Sequence, residues 1–115
     1  MLSIGTDIVK INRIKDLSKD DKFLSKVFSK KELKYCNLYS DPIIHLSGKY
    51  AAKEAVKKAL LSAKLIEHIS MKNIEVLNHK DKSPYIYIEN IKNVKCNVSI
   101  SHDGDYAIAF VIIEK

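Results

Sequence analysis

At 115 residues the chain suits one domain, spanning 1–115, with a modest core, and is too short for two independent cores. A hydrophobic share of 46% excludes a disordered segment, and no apolar run approaches the ~20 residues that cross a bilayer, so no membrane association is expected. Twenty Lys and Arg against fourteen Asp and Glu leave a formal charge of +6, which favours an anionic partner without naming the anion. Lysine dominates that excess, and no basic run is interleaved with aromatic residues as single-strand nucleic-acid binding would want, so no nucleic-acid partner is expected. Met1 to Asp7 has neither a basic n-region nor an apolar h-region, and export is not expected. Cys36 and Cys96 lie far apart without metal-ligand spacing and read as free thiols, which points to the cytoplasm.

Leu2 to Val9 alternates as a strand, with Leu2, Ile4, Thr6 and Ile8 on one face and Ser3, Gly5, Asp7 and Val9 on the other. From Ile8 the spacing changes to three, through Ile11, Ile14 and Leu17, which predicts a short helix ending in Ser18-Lys19-Asp20-Asp21. Phe23, Leu24, Val27 and Phe28 form a second apolar stripe. Ser29-Lys30-Lys31-Glu32 has the form of a capping box and predicts a helix from about Lys30 to Leu38. Asp41 can cap, and Pro42 open, a long helix running to about Lys64, with Ala51, Ala55, Ala59 and Ala63 on one stripe and Ala52, Val56 and Leu60 on the next. Ile74 to Val76 and Tyr85 to Ile88 predict a hairpin across the polar turn His79 to Pro84. Cys96, Val98 and Ile100 alternate with polar residues, Asp103-Gly104-Asp105 turns, and Tyr106 to Ile113 closes as an apolar strand. The order predicts an α+β domain with a mainly antiparallel sheet packed on one long helix.

Three places could carry chemistry. Asp7 sits in an apolar strand just after Gly5, which lets a backbone or ligand come close. Its bland reading is an N-cap for a helix beginning near Val9; otherwise a carboxylate there must be solvated, paired or coordinating a cation. Glu54 lies outside the alanine arc of the long helix, four residues before Lys58. A surface ion pair is the bland reading. The functional one makes Glu54 a ligand of Mg²⁺, with Lys58 a turn later to neutralise phosphate, since Mg²⁺ takes one or two carboxylates, waters and substrate phosphates. His102 ends the run Ser99-Ile100-Ser101-His102, where an imidazole is either merely exposed or part of a site. His45, His68 and His79 have no such company and read as surface residues.

Taken together, these stretches resemble the holo-acyl-carrier-protein synthases, the short trimeric branch of the 4′-phosphopantetheinyl transferases. Ile4-Gly5-Thr6-Asp7-Ile8 with Arg13-Ile14 is similar to that family's Gly-x-Asp-Ile…Arg-Ile motif. Phe28-Ser29-Lys30-Lys31-Glu32-Leu33 resembles its Phe-Thr-x-x-Glu-Leu segment. Gly48-Lys49-Tyr50-Ala51-Ala52-Lys53-Glu54-Ala55, then Lys58-Ala59, resembles Gly-Arg-Phe-Ala-Ala-Lys-Glu-Ala…Lys-Ala. Val98-Ser99-Ile100-Ser101-His102 with Tyr106-Ala107 fits Val-Ser-x-Ser-His…Tyr-Ala.

The resemblance implies an enzyme that moves 4′-phosphopantetheine from coenzyme A onto a serine of acyl carrier protein, releasing adenosine 3′,5′-bisphosphate, in support of fatty acid biosynthesis. It implies Asp7 and Glu54 as Mg²⁺ ligands, Lys58 beside the phosphates of coenzyme A, and His102 in the coenzyme A pocket. Arg13 is implied as a grip on the acidic carrier protein, and the assembly as a homotrimer with active sites between subunits. The base is left open among water held by a carboxylate, His102 and Glu54. Tyr50 replaces a usual Phe, a mild change that keeps the ring, whereas Lys15, Asp16, Lys19, Asp20, Asp21 and Lys22 mix signs where the family is richer in arginine, which bears on carrier docking. Broader-range phosphopantetheinyl transferases are about twice this length, and a non-catalytic basic module would leave the joint placement of Asp7, Glu54, Lys58 and His102 unexplained.

Overall fold

The computed structural model describes residues 1–115. Strand β1 (Leu2–Lys10) leads into three short helices, α1 (Ile11–Leu17), α2 (Asp21–Val27) and α3 (Lys30–Cys36), and then the long α4 (Pro42–Ser62). After a 3₁₀ turn (Met71–Asn73) come β2 (Ile74–Asn78), β3 (Pro84–Ile88), β4 (Lys95–Asp103) and β5 (Tyr106–Glu114). The expected α+β class holds, but the strands form two antiparallel sheets: three strands ordered β1-β5-β4, and the separate hairpin β2-β3.

Helix α4 lies on the three-stranded sheet because both contact surfaces are small. Ala51, Ala52, Ala55 and Ala59 are fully or almost fully buried, opposite Ala107 and Ala109 of β5. Gly5 sets the approach of β1: a Cβ there would stand 1.9 Å from the Ala55 carbonyl oxygen. Ser3 Oγ also donates to the Ala59 carbonyl at 2.8 Å. On the other flank, a Cβ on Gly48 would meet Ile100 Cγ2 at 2.9 Å.

Some boundaries move for local reasons. β1 continues to Lys10 and α1 starts at Ile11, without a side-chain cap on its first turn. Pairing with β5 extends to Lys10 opposite Tyr106, and this holds the chain extended past Val9. Asp7 is therefore not an N-cap. The capping box at Ser29 and Glu32 forms as expected. α4 begins at Pro42, although the Asp41 side chain makes no capping bond.

The interior also holds charge that hydrophobic patterning does not announce. Lys53 Nζ pairs with Glu32 Oε1 at 2.7 Å, both side chains fully buried, and donates to the Met71 and Ile74 carbonyls. Glu32 accepts the Ser29 N–H on Oε1 and the Val76 N–H on Oε2, each at 2.8 Å. One carboxylate thus ties α3, α4 and β2 together. Burial, partly opposed by the Glu32 charge, holds the Lys53 pKa below its usual value. Removing one partner of such a pair leaves an unpaired buried charge, at about 3–5 kcal/mol. Lys53→Met should lower unfolding free energy by that amount in urea titration, and Glu32→Met with Lys53→Met should recover part of it. Gly5→Ala should cost about 3 kcal/mol, because a carbonyl on a packed helix cannot yield to a methyl group.

Candidate active site

Asp7 lies on the α4-facing side of β1, beside Gly5, and its side chain is 16% exposed. Its Oδ1 accepts from Lys58 Nζ at 3.0 Å, and the same ammonium donates to the Thr6 carbonyl at 3.0 Å. Lys58 therefore pairs across elements with Asp7, in place of the surface pair with Glu54. Glu54 is half-buried one helical turn before Lys58. Tyr50 stands one turn earlier again. Burial first, then the charge of Glu54, raise its phenol pKa, with Arg13 opposing them and Asp7 adding least. Arg13 of α1 completes the cluster with its guanidinium carbon 5.8 Å from the Tyr50 ring centroid.

The donor set is two carboxylates, with no imidazole or thiolate among the groups named. No group of three or more His, Cys, Asp or Glu converges anywhere in the chain. Oxygen donors in that number fit a hard cation such as Mg²⁺, which retains waters and takes further oxygens from a phosphate substrate. The protein makes no hydrogen bond to Asp7 Oδ2. The residues present thus fit the ion, and Lys58 beside them can receive an anion.

His102 is elsewhere. At about 100° per residue, His45 and Lys49 project from the side of α4 roughly opposite Glu54 and Lys58. β4 lies on that side, about 10 Å across the sheet from β1. There a cavity of about 480 Å³ is lined by His102 and Ser99 of β4, His45 and Lys49 of α4, and residues of α3 and the hairpin. So Asp7, Glu54, Lys58 and Arg13 gather on one flank, and His102 stands on the other.

The cavity corrects the expectation that His45 is an idle surface residue. It is half-buried and stacks on Tyr39 with centroids 3.7 Å apart. Burial and the nearby charges of His102 and Lys49 lower its pKa. His79 also stacks on a ring, that of Tyr85. Lys49 is buried and donates to the Val76 carbonyl and to Asn78 Oδ1. A signal for the lysines existed: Lys49 and Lys53 share a stripe of α4 with Leu46, Val56 and Leu60. Nothing in the sequence pairs His45 with Tyr39. The thiols are free, Cys36 buried and Cys96 half-buried, and burial pushes each up to about 11.

Two carboxylates beside a lysine, on the flank of a helix held to a three-stranded sheet, have the chemistry to hold a hard cation and to receive an anion. Residues 3–111 match the 4′-phosphopantetheinyl transferase superfamily, and the chain belongs to it. A holo-[acyl-carrier-protein] synthase of Thermodesulfovibrio yellowstonii is 44% identical over 112 residues, covering 96% of each chain. Among solved structures, the ACPS–CoA complex of Chronobacterium ammoniagenes is 32% identical and superposes with a TM-score of 0.85, covering 98% of this chain and 96% of that one. The Helicobacter pylori holo-[acyl-carrier-protein] synthase in complex with coenzyme A is 33% identical with a TM-score of 0.80, covering 96% and 99%.

Lys58→Met would remove the cation that holds Asp7. Asp7 and Glu54 then lose the ammonium beside them, and apparent Mg²⁺ affinity should rise while transfer falls at least tenfold. Isothermal titration with Mg²⁺, alongside a transfer assay, reads the two effects separately.

Proposed function

We propose that this chain acts as a holo-acyl-carrier-protein synthase with Asp7 and Glu54 as the ligands of Mg²⁺. It transfers 4′-phosphopantetheine from coenzyme A to a serine of apo-acyl-carrier protein, giving the holo carrier used in fatty acid biosynthesis. The observation that carries the site assignment is the Asp7–Lys58 pair beside Glu54, made across β1 and α4. The serine oxygen bonds to the phosphorus that carries pantetheine, the bond from that phosphorus to adenosine 3′,5′-bisphosphate breaks, and the serine proton goes to a base. Bound Mg²⁺ supplies charge neutralisation at the diphosphate. Lys58 reaches the same charge from α4, and Asp7 fixes the direction of its ammonium. Arg13, exposed over the Tyr50 ring one turn before Glu54, is placed to grip an acidic carrier at the mouth of this site. The net charge of +6 assists the approach of both anionic substrates.

The active enzyme is a homotrimer in this reading, with each site completed at a subunit boundary. Two features support that. His102 and its cavity lie on the opposite flank of α4 from Asp7 and Glu54, so a single chain offers them to different clefts. The sheet face turned away from α4 also exposes Leu2, Ile4, Ile8, Ile108 and Phe110, an apolar surface that suits burial against further copies. No helix is long and apolar enough to cross a membrane. Action in the cytoplasm, as one domain of residues 1–115, completes the reading.

Apo-acyl-carrier protein incubated with the chain, coenzyme A and Mg²⁺ should gain the mass of one phosphopantetheine by mass spectrometry. Asp7→Ala and Glu54→Ala should each lower the rate at least a hundredfold with an unchanged circular dichroism spectrum. Near-native activity in either variant refutes that residue's ligand role. Arg13→Ala should raise KM for the carrier about tenfold and leave KM for coenzyme A unchanged. Light scattering should give the mass of three chains of 13.1 kDa, and Phe110→Asp should reduce it to one while abolishing transfer.

A further inference from the structure

The cavity on the β4 flank holds a second imidazole besides His102. His45 is fixed there by its stack on Tyr39, at 3.7 Å and an interplanar angle of 22°. Tyr39 is itself held through its hydroxyl, 2.8 Å from that of Tyr35. The groups facing His45 come from every neighbouring element: Lys49 from α4, Lys82 from the β2–β3 turn, His102 from β4, and Asp41 just before α4. Only Asp41 is acidic, and it is exposed. Lys49 already donates to the Val76 carbonyl and Asn78 Oδ1, so much of its hydrogen-bonding capacity is committed and its charge is what it adds to the cavity.

Coenzyme A carries two separated anionic groups, a diphosphate and a 3′-phosphate. In the function proposed above, on which this inference rests, the diphosphate belongs to the Asp7, Glu54 and Lys58 flank. The remaining phosphate suits a cavity rimmed by cations and an aromatic stack. We propose that His45 is a specificity residue of this cavity, taking up a proton as the 3′-phosphate of coenzyme A enters and donating an N–H to it.

Free of ligand, His45 is held toward its neutral form, first by burial and then by the positive groups around it, with Asp41 opposing them. A phosphate dianion reverses that balance, because the opposite charge favours imidazolium. Coenzyme A binding therefore takes up a proton, and it weakens as pH rises above the imidazole range. Coenzyme A lacking the 3′-phosphate leaves His45 neutral and shows neither effect.

Calorimetric titration of the full-length protein in its native assembly tests this. Coenzyme A and 3′-dephospho-coenzyme A are compared at about pH 6.5 and about pH 8, in two buffers of different ionisation enthalpy. The unaltered protein should bind coenzyme A about tenfold more tightly at the lower pH, with proton uptake, and should bind the dephospho form equally at both. His45→Phe keeps a ring for Tyr39 and should lose most of the uptake and about tenfold of the preference for coenzyme A. His45→Gln keeps a donor without the charge and should lose the uptake as well. Uptake and preference unchanged in both His45 variants would overturn the role of His45 while leaving the proposed function standing. Failure of the unaltered protein to bind either ligand would overturn both.

Discussion

β1 can lie against α4 only because residue 5 has no side chain. A Cβ at Gly5 would stand 1.9 Å from the Ala55 carbonyl oxygen and 3.0 Å from the Ala59 amide nitrogen. Asp7 is two residues further along the same strand, on the same face, so the contact that brings the backbones together also carries its carboxylate to the flank of the helix. Lys58 then reaches Asp7 Oδ1 and the Thr6 carbonyl, and Glu54 sits one turn away. Packing, not local chain geometry, makes neighbours of acids 47 positions apart in sequence.

A different constraint fixes the rotation of α4 about its axis. Lys53 is anchored to Glu32 and to the Met71 and Ile74 carbonyls, and Lys49 to the Val76 carbonyl and Asn78. These bonds hold one side of the helix against α3 and the hairpin, which leaves the opposite side, with Glu54 and Lys58, facing β1 and solvent. Such buried pairs are weak sources of net stability, but they penalise every arrangement that leaves them unpaired. The same geometry separates two functional surfaces. The acids proposed as metal ligands lie on the β1 flank and the histidine-rich cavity on the β4 flank, and an assembly of several copies is the simple way to bring one of each into a single cleft.

Much of this was legible in the chain. Gly5 beside Asp7, the alanine stripe of α4 and the Ser29–Glu32 capping box each have a local signature, and each formed as read. Other features had none. Glu32 is a helix cap by its spacing, yet its main partners are Lys53 and Val76, which only the packing of α4 and the hairpin against α3 delivers. The extension of β1 to Lys10 depends on pairing with Tyr106, nearly the whole chain away. His45 appeared isolated because Tyr39 and His102 reach it through a loop and a distant strand. The division into two sheets was hidden for the same reason: the β2–β3 pattern gives a hairpin, but the elements beside it follow from packing on α4.

The central claim is that Asp7 and Glu54 hold one divalent cation against the diphosphate of coenzyme A. Crystals grown with coenzyme A and Mn²⁺ in place of Mg²⁺, with data collected at the manganese absorption edge, would locate the ion directly. The account predicts one anomalous peak within coordination distance of an oxygen of each carboxylate and of the diphosphate. A peak elsewhere, or one touching neither carboxylate while the diphosphate is bound, would contradict it.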